Sequence, residues 1–422
     1  MEFLIRAAEI LQPNSPLHKV TKDILISGGK IKKIDDKIDF DGKIVSAENL
    51  KVSVGWMDMR AHYNDPGNEH KEDIDSGSAA AMAGGFTDVV LLPNTNPVVS
   101  TKNGVTYYQR FNKTATVTLH PIAAVTVDCE GKELTEMIDL HTAGAVAFSD
   151  GLKPIWHTDI LLKGLQYLQK FQGLLINKAE DRLLTSFGHM NEGEVSTMLG
   201  LKGMPSLSET IMIQRDLKLL EYAGGKIHFT LVSSAESVQL IREAKAKGLN
   251  VTCDVGVNYL MFTDADLHNY STDLKVNPPY RTKIDRDALI GGVKDGTIDA
   301  IVSDHNPHDE ESKKLEFDLA DFGSTNQQAF YSVLNNVLGS ELDEIIKSFT
   351  TSPRKVLGIS NPVIAEGEDA CLTLFSPKYN WSFNKKNNKS KSVASPLFNQ
   401  SLTGGVVGVV NKGGLHLNNY ED

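Results

Sequence analysis

A chain of 422 residues is long enough for two or three domains, or for one large α/β barrel with an appendage. Its 41% hydrophobic and 23% charged residues are ordinary for a globular protein and exclude a disordered, collagen-like or coiled-coil chain. A formal net charge of −11 argues against a nucleic-acid partner, and no apolar run reaches the ~20 residues of a membrane helix. The opening MEFLIRAAEILQPNS lacks the basic-then-apolar pattern of a leader. The cysteines, Cys129, Cys253 and Cys371, stand far apart, with no CxxC pair to suggest a disulfide framework or a thiolate zinc site. A cytoplasmic protein is expected, with no membrane and no nucleic-acid partner.

Short β-like runs separated by turns occupy residues 2–11, 23–35 and 41–50, with Gly28-Gly29 and Asp41-Gly42 marking tight turns. The same texture returns near the end, in ACLTLFSP (370–377) and GGVVGVVNKGG (404–414). Between these, residues 374–401 are rich in Lys, Asn and Ser and read as an exposed loop. Two β-rich ends around a different middle predict a small β-sandwich domain formed by both termini, residues 1–53 plus 355–422.

The middle, residues 54–354, alternates apolar strand-like runs with helical patterns. Eight runs recur: VGWMDMRA, TDVVLLPN, TVTLHPIAAV, AVAFSD, GLLINKAE, KIHFTLVS, NVTCDVGV and IDAIVSD. Residues 234–248 form a helical pattern with a stop at Gly248. Strands alternating with helices pair in parallel, and eight such units close a (β/α)8 TIM-type barrel; a doubly wound sheet is the alternative. In a barrel the chemistry sits at the C-terminal ends of the strands. The polar residues there are Arg60, His62, Asn94, Asp150, Lys178, His228, Asp254 and Asp304.

Arg60 and His62 are two apart and share one face of a strand. His62 reads as a metal ligand, a base or a structural histidine. In SDHNPH (303–308), Asp304 reads as a general base, a metal ligand or a turn cap. Asn94, within PNTNP (93–97), suits either a substrate contact or an Asx-turn. KVNPPYR (275–281) is a similarly stiff segment carrying Asn277.

These stretches resemble the dihydroorotases of the amidohydrolase superfamily, especially the long type found with aspartate transcarbamoylase, and the related allantoinases and hydantoinases. The resemblance rests on DMRAH (58–62) with NDPG (64–67), GGFT (84–87), PNTNP (93–97), FSD (148–150), AED (179–181), NEGE (191–194), KVNPP (275–279), DHNPH (304–308) and FG (322–323). It implies a barrel with a β-sandwich from both termini, and hydrolysis of a cyclic amide by one or two zinc ions at the barrel mouth. It places Asp304 at the general acid/base position and His62, Asp150 and Asp304 at retained metal-ligand positions. Asn94, Asn277 and His308 match substrate-contacting positions.

The chain also departs from the family pattern. Arg60 stands where the first imidazole of D-x-H-x-H belongs, Lys178 replaces the strand-five histidine, and Leu231 replaces the strand-six ligand. Asn258-Tyr259 replaces a double histidine, and Asn64 stands in place of the arginine that grips the substrate carboxylate. No tightly bound cofactor is therefore expected, with zinc only if an active enzyme is retained. Loss of a divalent ion would strand the Asp150 and Asp304 charges. Arg60 and Lys178 are accordingly expected to replace the metal electrostatically, one of them pairing with Asp150 or Asp304. A modified, metal-bridging Lys178 is the competing role.

Three functions follow. The leading one is a catalytically degenerate dihydroorotase-like protein of pyrimidine biosynthesis, a homo-oligomer acting as a structural or regulatory partner, with aspartate transcarbamoylase the candidate. The alternatives are an active dihydroorotase or other cyclic amidohydrolase with a rebuilt single-metal site, and a small-ligand binding protein.

Overall fold

Side-chain alternation sets the first strand. In Glu2–Leu11, Phe3, Ile5, Ala8 and Ile10 join one buried cluster, while Leu4 packs with Leu25 and Ile38 elsewhere. The inward positions switch from odd to even at a bulge between Ile5 and Ala8, where Ala7 has a φ of 49°. The computed structural model describes residues 2–418.

Eight strands from the two ends of the chain hydrogen-bond into one sheet. Glu2–Leu11, Val20–Ser27, Lys30–Asp35, Lys43–Val45 and Lys51–Val54 come from the first part. Leu372–Phe383, Gln400–Asn411 and Gly414–Leu417 come from the last. Lys51–Val54 links the two groups, running parallel to Glu2–Leu11 and antiparallel to Leu372–Phe383, with Val54 opposite Leu372.

The barrel strands are Trp56–Ala61, Phe86–Leu91, Thr118–Ala123, Ala147–Phe148, Leu175–Lys178, Ile227–Thr230, Val251–Gly256 and Ala300–Val302. They pair in parallel in chain order, and each falls inside one of the eight predicted runs except that the second begins one residue early, at Phe86. Strands covered on both faces need apolar residues at nearly every position, which is why these runs are continuous rather than alternating. Helices cross between them with local stop and start signals. Ser234 Oγ accepts from the Ser237 amide at 3.2 Å to cap Ala235–Ala246, and Gly248 ends that turn with a φ of 80°. The GGFT motif is steric. A Cβ on Gly84 would lie 2.1 Å from the Gln327 carbonyl oxygen, and one on Gly85 (φ 96°) would lie 2.7 Å from the Trp56 ring.

Closure between the first and eighth strands uses little backbone. Ala61 and His305 form an isolated bridge, and the His62 amide donates to the His305 carbonyl at 2.8 Å. Side chains complete the seam. The fully buried Asp58 accepts from the Ser303 amide at 3.0 Å, from the Ser303 hydroxyl, and from Gln327 Nε2 at 2.9 Å.

The segment read as an exposed loop is shorter and better anchored than expected. Strands take up residues 374–383 and 400–401, and within the remainder Ser392, Ala394, Ser395 and Leu397 are buried. Its lysines stay exposed, but several of its polar groups turn inward. The Ser390 hydroxyl and the Lys391 amide (3.2 Å) both donate to the buried Glu72, and Ser392 Oγ donates to the His308 carbonyl at 2.5 Å. Polar composition marked the segment as solvated, but here it serves a buried carboxylate.

At the opposite end of the barrel, Arg354 Nη2 lies 2.5 Å from Asp88 Oδ2, and His120 Nε2 lies 2.8 Å from Asp88 Oδ1. Burial opposes ionisation of Asp88, but the His120 bond and the Arg354 charge outweigh it and bring the pKa to about 2. A depressed carboxylate stabilises the fold above its unfolded pKa, and that contribution disappears as pH falls through the folded value. Asp88→Asn is expected to cost about 2 kcal/mol at pH 7. Urea unfolding as a function of pH checks this, with the gap to the parent protein narrowing as pH falls from about 4 towards 2.

Candidate functional site

The period of two in the first barrel strand points Asp58, Arg60 and His62 to one side. Arg60 is 2% exposed, and its Nε donates to Asp304 Oδ1 at 3.0 Å. Its Nη1 approaches Thr230 Oγ1 at a long 3.5 Å. Asp304 sits just past the eighth strand in the left-handed region, with a φ of 50°. Burial raises the Asp304 pKa to about 6, although Arg60 pulls in the other direction.

Lys178, 3% exposed at the end of the fifth strand, does not reach either predicted partner. Its Nζ pairs instead with Glu180 Oε2 at 2.7 Å. Burial works against ionisation of Glu180, but the Lys178 charge and bond outweigh it and hold the pKa below the usual carboxylate value. Asn277 Nδ2 (3.3 Å) and Thr185 Oγ1 (2.7 Å) also donate to Glu180. Glu180 had no assigned role in the sequence. Its spacing of two from Lys178 was the available signal, because such residues share a strand face.

Among the described residues, Asp150 forms no ion pair. Both its oxygens accept from Thr126, from the amide at 2.9 Å and from the hydroxyl at 2.5 Å. Burial lifts its pKa to about 6, and the Thr126 bonds only partly oppose this. His62 Nδ1 lies 3.1 Å from Asn306 Oδ1, and its Nε2 lies 3.1 Å from the Asn94 carbonyl. Burial lowers the His62 pKa despite these acceptors. Both ring nitrogens therefore lie within hydrogen-bond distance of an oxygen, and the neutral ring donates through one of them.

The remaining predicted positions divide. Asn94 spends its amide on the loop after the fourth strand, donating to the Asp150 carbonyl at 2.9 Å and accepting from the Leu152 amide at 2.8 Å. That is the Asx-like reading of PNTNP. Asn64 donates to the Pro307 carbonyl at 3.3 Å. His308 Nε2 lies 3.0 Å from the Phe322 carbonyl, and burial followed by the Lys71 charge pushes its pKa down to about 4. Leu231 is buried in a left-handed turn (φ 57°) that Asp254 captures, its Oδ1 accepting the Leu231 amide at 2.7 Å. Asp254 Oδ2 in turn lies 2.9 Å from His228 Nε2, so His228 and Asp254 are occupied with each other.

A cavity of about 130 Å³ opens at the barrel mouth, walled by Arg60, Leu152, Lys178, Val276, Asn277, Asp304, Asn306, Phe322 and Gly323. The fold thus brings Arg60, Lys178, Asn277 and Asp304 to one space. His62, Asn94, Asp150, Leu231 and His308 lie outside its wall. Zinc takes neutral imidazole, carboxylate or thiolate; a guanidinium or an alkyl chain cannot ligate, and an ammonium can only after losing its proton. The residues at positions 60, 178 and 231 do not fit the metal that the resemblance implies. Among the described residues, no group of three or more His, Cys, Asp or Glu side chains is placed to hold a metal ion.

Comparison with known proteins agrees with this architecture. A family profile described as Dihydro-orotase-like matches residues 50–237, and one described as Amidohydrolase family matches residues 203–415. A dihydroorotase of Syntrophus aciditrophicus (strain SB) is 36% identical over 414 residues, covering 96% of this chain and 97% of its own. One from Caldanaerobacter subterraneus subsp. tengcongensis is 39% identical over 388 residues, covering 90% of each chain. Among solved structures, an L-hydantoinase (dihydropyrimidinase) from Arthrobacter aurescens superposes with a TM-score of 0.85 over 100% of this chain and 97% of its own. At 20% identity, that match speaks for the fold alone. Barrel, motifs and full-length relatives agree: the chain belongs to the dihydroorotase family of amidohydrolases.

Proposed function

We propose that this dihydroorotase-like protein of pyrimidine biosynthesis has a catalytically degenerate centre and acts as a structural or regulatory partner. Aspartate transcarbamoylase is the candidate partner, in a homo-oligomeric cytoplasmic assembly. The observation that carries the reading is the Arg60–Asp304 ion pair at 3.0 Å. A guanidinium occupies the carboxylate to which the resemblance assigns general acid/base work. Buried carboxylates deprived of a counter-charge destabilise a fold by several kcal/mol, and Arg60 and Lys178 supply two positive charges to the same space. In this reading Asp304 keeps its position but has no water to activate.

A second reading, an active dihydroorotase or another cyclic amidohydrolase with a single-metal site, is favoured by one finding. The relatives at 36% and 39% identity carry the name dihydroorotase across nearly their whole length. His62, Asp150 and Asp304 would then be the retained ligands.

Elemental analysis and dihydroorotate turnover on one batch of purified protein separate the two. The expected result is less than about one tightly held zinc per chain and no turnover. Stoichiometric zinc surviving dialysis, with turnover near ~10 s⁻¹, overturns the degenerate reading. Arg60→Ala, which leaves Asp304 buried without its cation, is expected to cost about 3 kcal/mol by denaturant unfolding. Restoring imidazoles with Arg60→His, Lys178→His and Leu231→His together should recover zinc uptake. Activity should recover less, because Asn64 lacks the fork that arginine offers a carboxylate. Adding Asn64→Arg should then lower KM more than it raises kcat.

A further inference from the structure

We infer that the cavity between Arg60 and Lys178 is a binding site for a compact oxyanion, a small carboxylate or phosphate, beside Asp304, which the resemblance assigns to a metal. The inference rests on the reading that cations have replaced that metal.

Both cations are built into the wall of the cavity, 2% and 3% exposed, and both have donors to spare. Arg60 commits Nε to Asp304 at 3.0 Å and offers one Nη1 proton to Thr230 at 3.5 Å, and among the described residues no hydrogen bond engages its Nη2. Among the described residues Lys178 has one ion-pair contact, to Glu180 at 2.7 Å, which accounts for one of its three protons. An oxyanion lying between the two side chains meets them with charge-assisted bonds, and the fork geometry of arginine suits two oxygens at once. Asp304 and Glu180 hold the other edges of the cations, so they aim the free donors rather than exhaust them.

Size and charge narrow the class. A cavity of roughly 150 Å³ accommodates a six-carbon ring, so about 130 Å³ admits an anion of about five or six non-hydrogen atoms. Phe322 and Val276 give the wall an apolar side against which a short carbon chain can lie. Asp304 and Glu180 already balance the two cations, so a monoanion is favoured over a dianion of the same size.

Isothermal titration calorimetry of the full chain with acetate and with inorganic phosphate, each against chloride at equal ionic strength, tests the inference. Saturable binding of one anion per chain is expected. Acetate alone assigns the site to carboxylates, phosphate alone assigns it to phosphates, and both together assign it to oxyanions in general. Lys178→Met should weaken binding at least tenfold. Arg60→Lys, which keeps the charge beside Asp304 but removes the fork, should do the same and guards against loss of fold. Absence of saturable binding, or binding unchanged in both variants, overturns the inference. Zinc is measured on the same batch: stoichiometric metal defeats the underlying reading, whereas a metal-free protein that ignores both anions defeats this inference alone.

Discussion

The barrel closes on the inward face of one strand. Asp58, Arg60 and His62 alternate along Trp56–Ala61 and the residue beyond it, and they bond respectively to Ser303, Asp304 and Asn306 past the eighth strand. Among the described residues one isolated backbone bridge joins this seam, and the three side-chain contacts carry much of the closure. The Arg60–Asp304 pair is therefore both a fastening of the fold and the electrostatic centre of its mouth. A pair so buried is held by geometry and completed hydrogen bonds, since desolvation offsets much of its Coulomb attraction.

Two buried carboxylates with arginine partners show how environment decides the outcome. Asp88 gathers Arg354, His120 and the Thr87 hydroxyl, and its pKa falls to about 2. Asp304 has one arginine nitrogen at 3.0 Å and the more distant Lys178 charge on its side, yet burial, with Asp254 adding to it, prevails, at about 6. Asp150, which burial dominates over its Thr126 bonds, also stands near 6. Asp150 and Asp304 are thus held less firmly in the charged state than Asp88 at the base, whereas Glu180 is kept charged by Lys178.

The mouth is shaped from outside the barrel as well. Glu72, wholly buried, accepts from Ser76, Ser390 and the Lys391 amide and lies 3.3 Å from His305 Nε2, so one carboxylate ties the first barrel loop, the eighth strand's end and the C-terminal segment. Two buried lysines steady the cavity wall by gripping carbonyls. Lys275 Nζ donates to Phe317 at 2.6 Å and Asp318 at 3.0 Å, and Lys313 Nζ donates to Asp321 at 2.9 Å and Gly323 at 2.8 Å. Phe322 and Gly323 are placed by these cationic grips rather than by regular secondary structure.

The sequence by itself determined the eight barrel strands, the β structure shared by both termini and the family. Each depends on local or periodic signals: continuous apolar runs for strands buried on both faces, turn residues, and motifs such as DMRAH and DHNPH. It also set Arg60 or Lys178 against Asp150 or Asp304, and of these pairings the structure forms Arg60–Asp304. What it did not decide was which partner each remaining group would take. Lys178 turned to Glu180, Asp150 to Thr126, Asn94 to its neighbouring loop, and the Lys/Asn/Ser-rich segment to Glu72. Such choices depend on distances of a few ångströms between segments tens to hundreds of residues apart in the chain, and on which buried donors remain unmet once the strands have closed. Residue type limits those pairings, but only the tertiary packing selects among them.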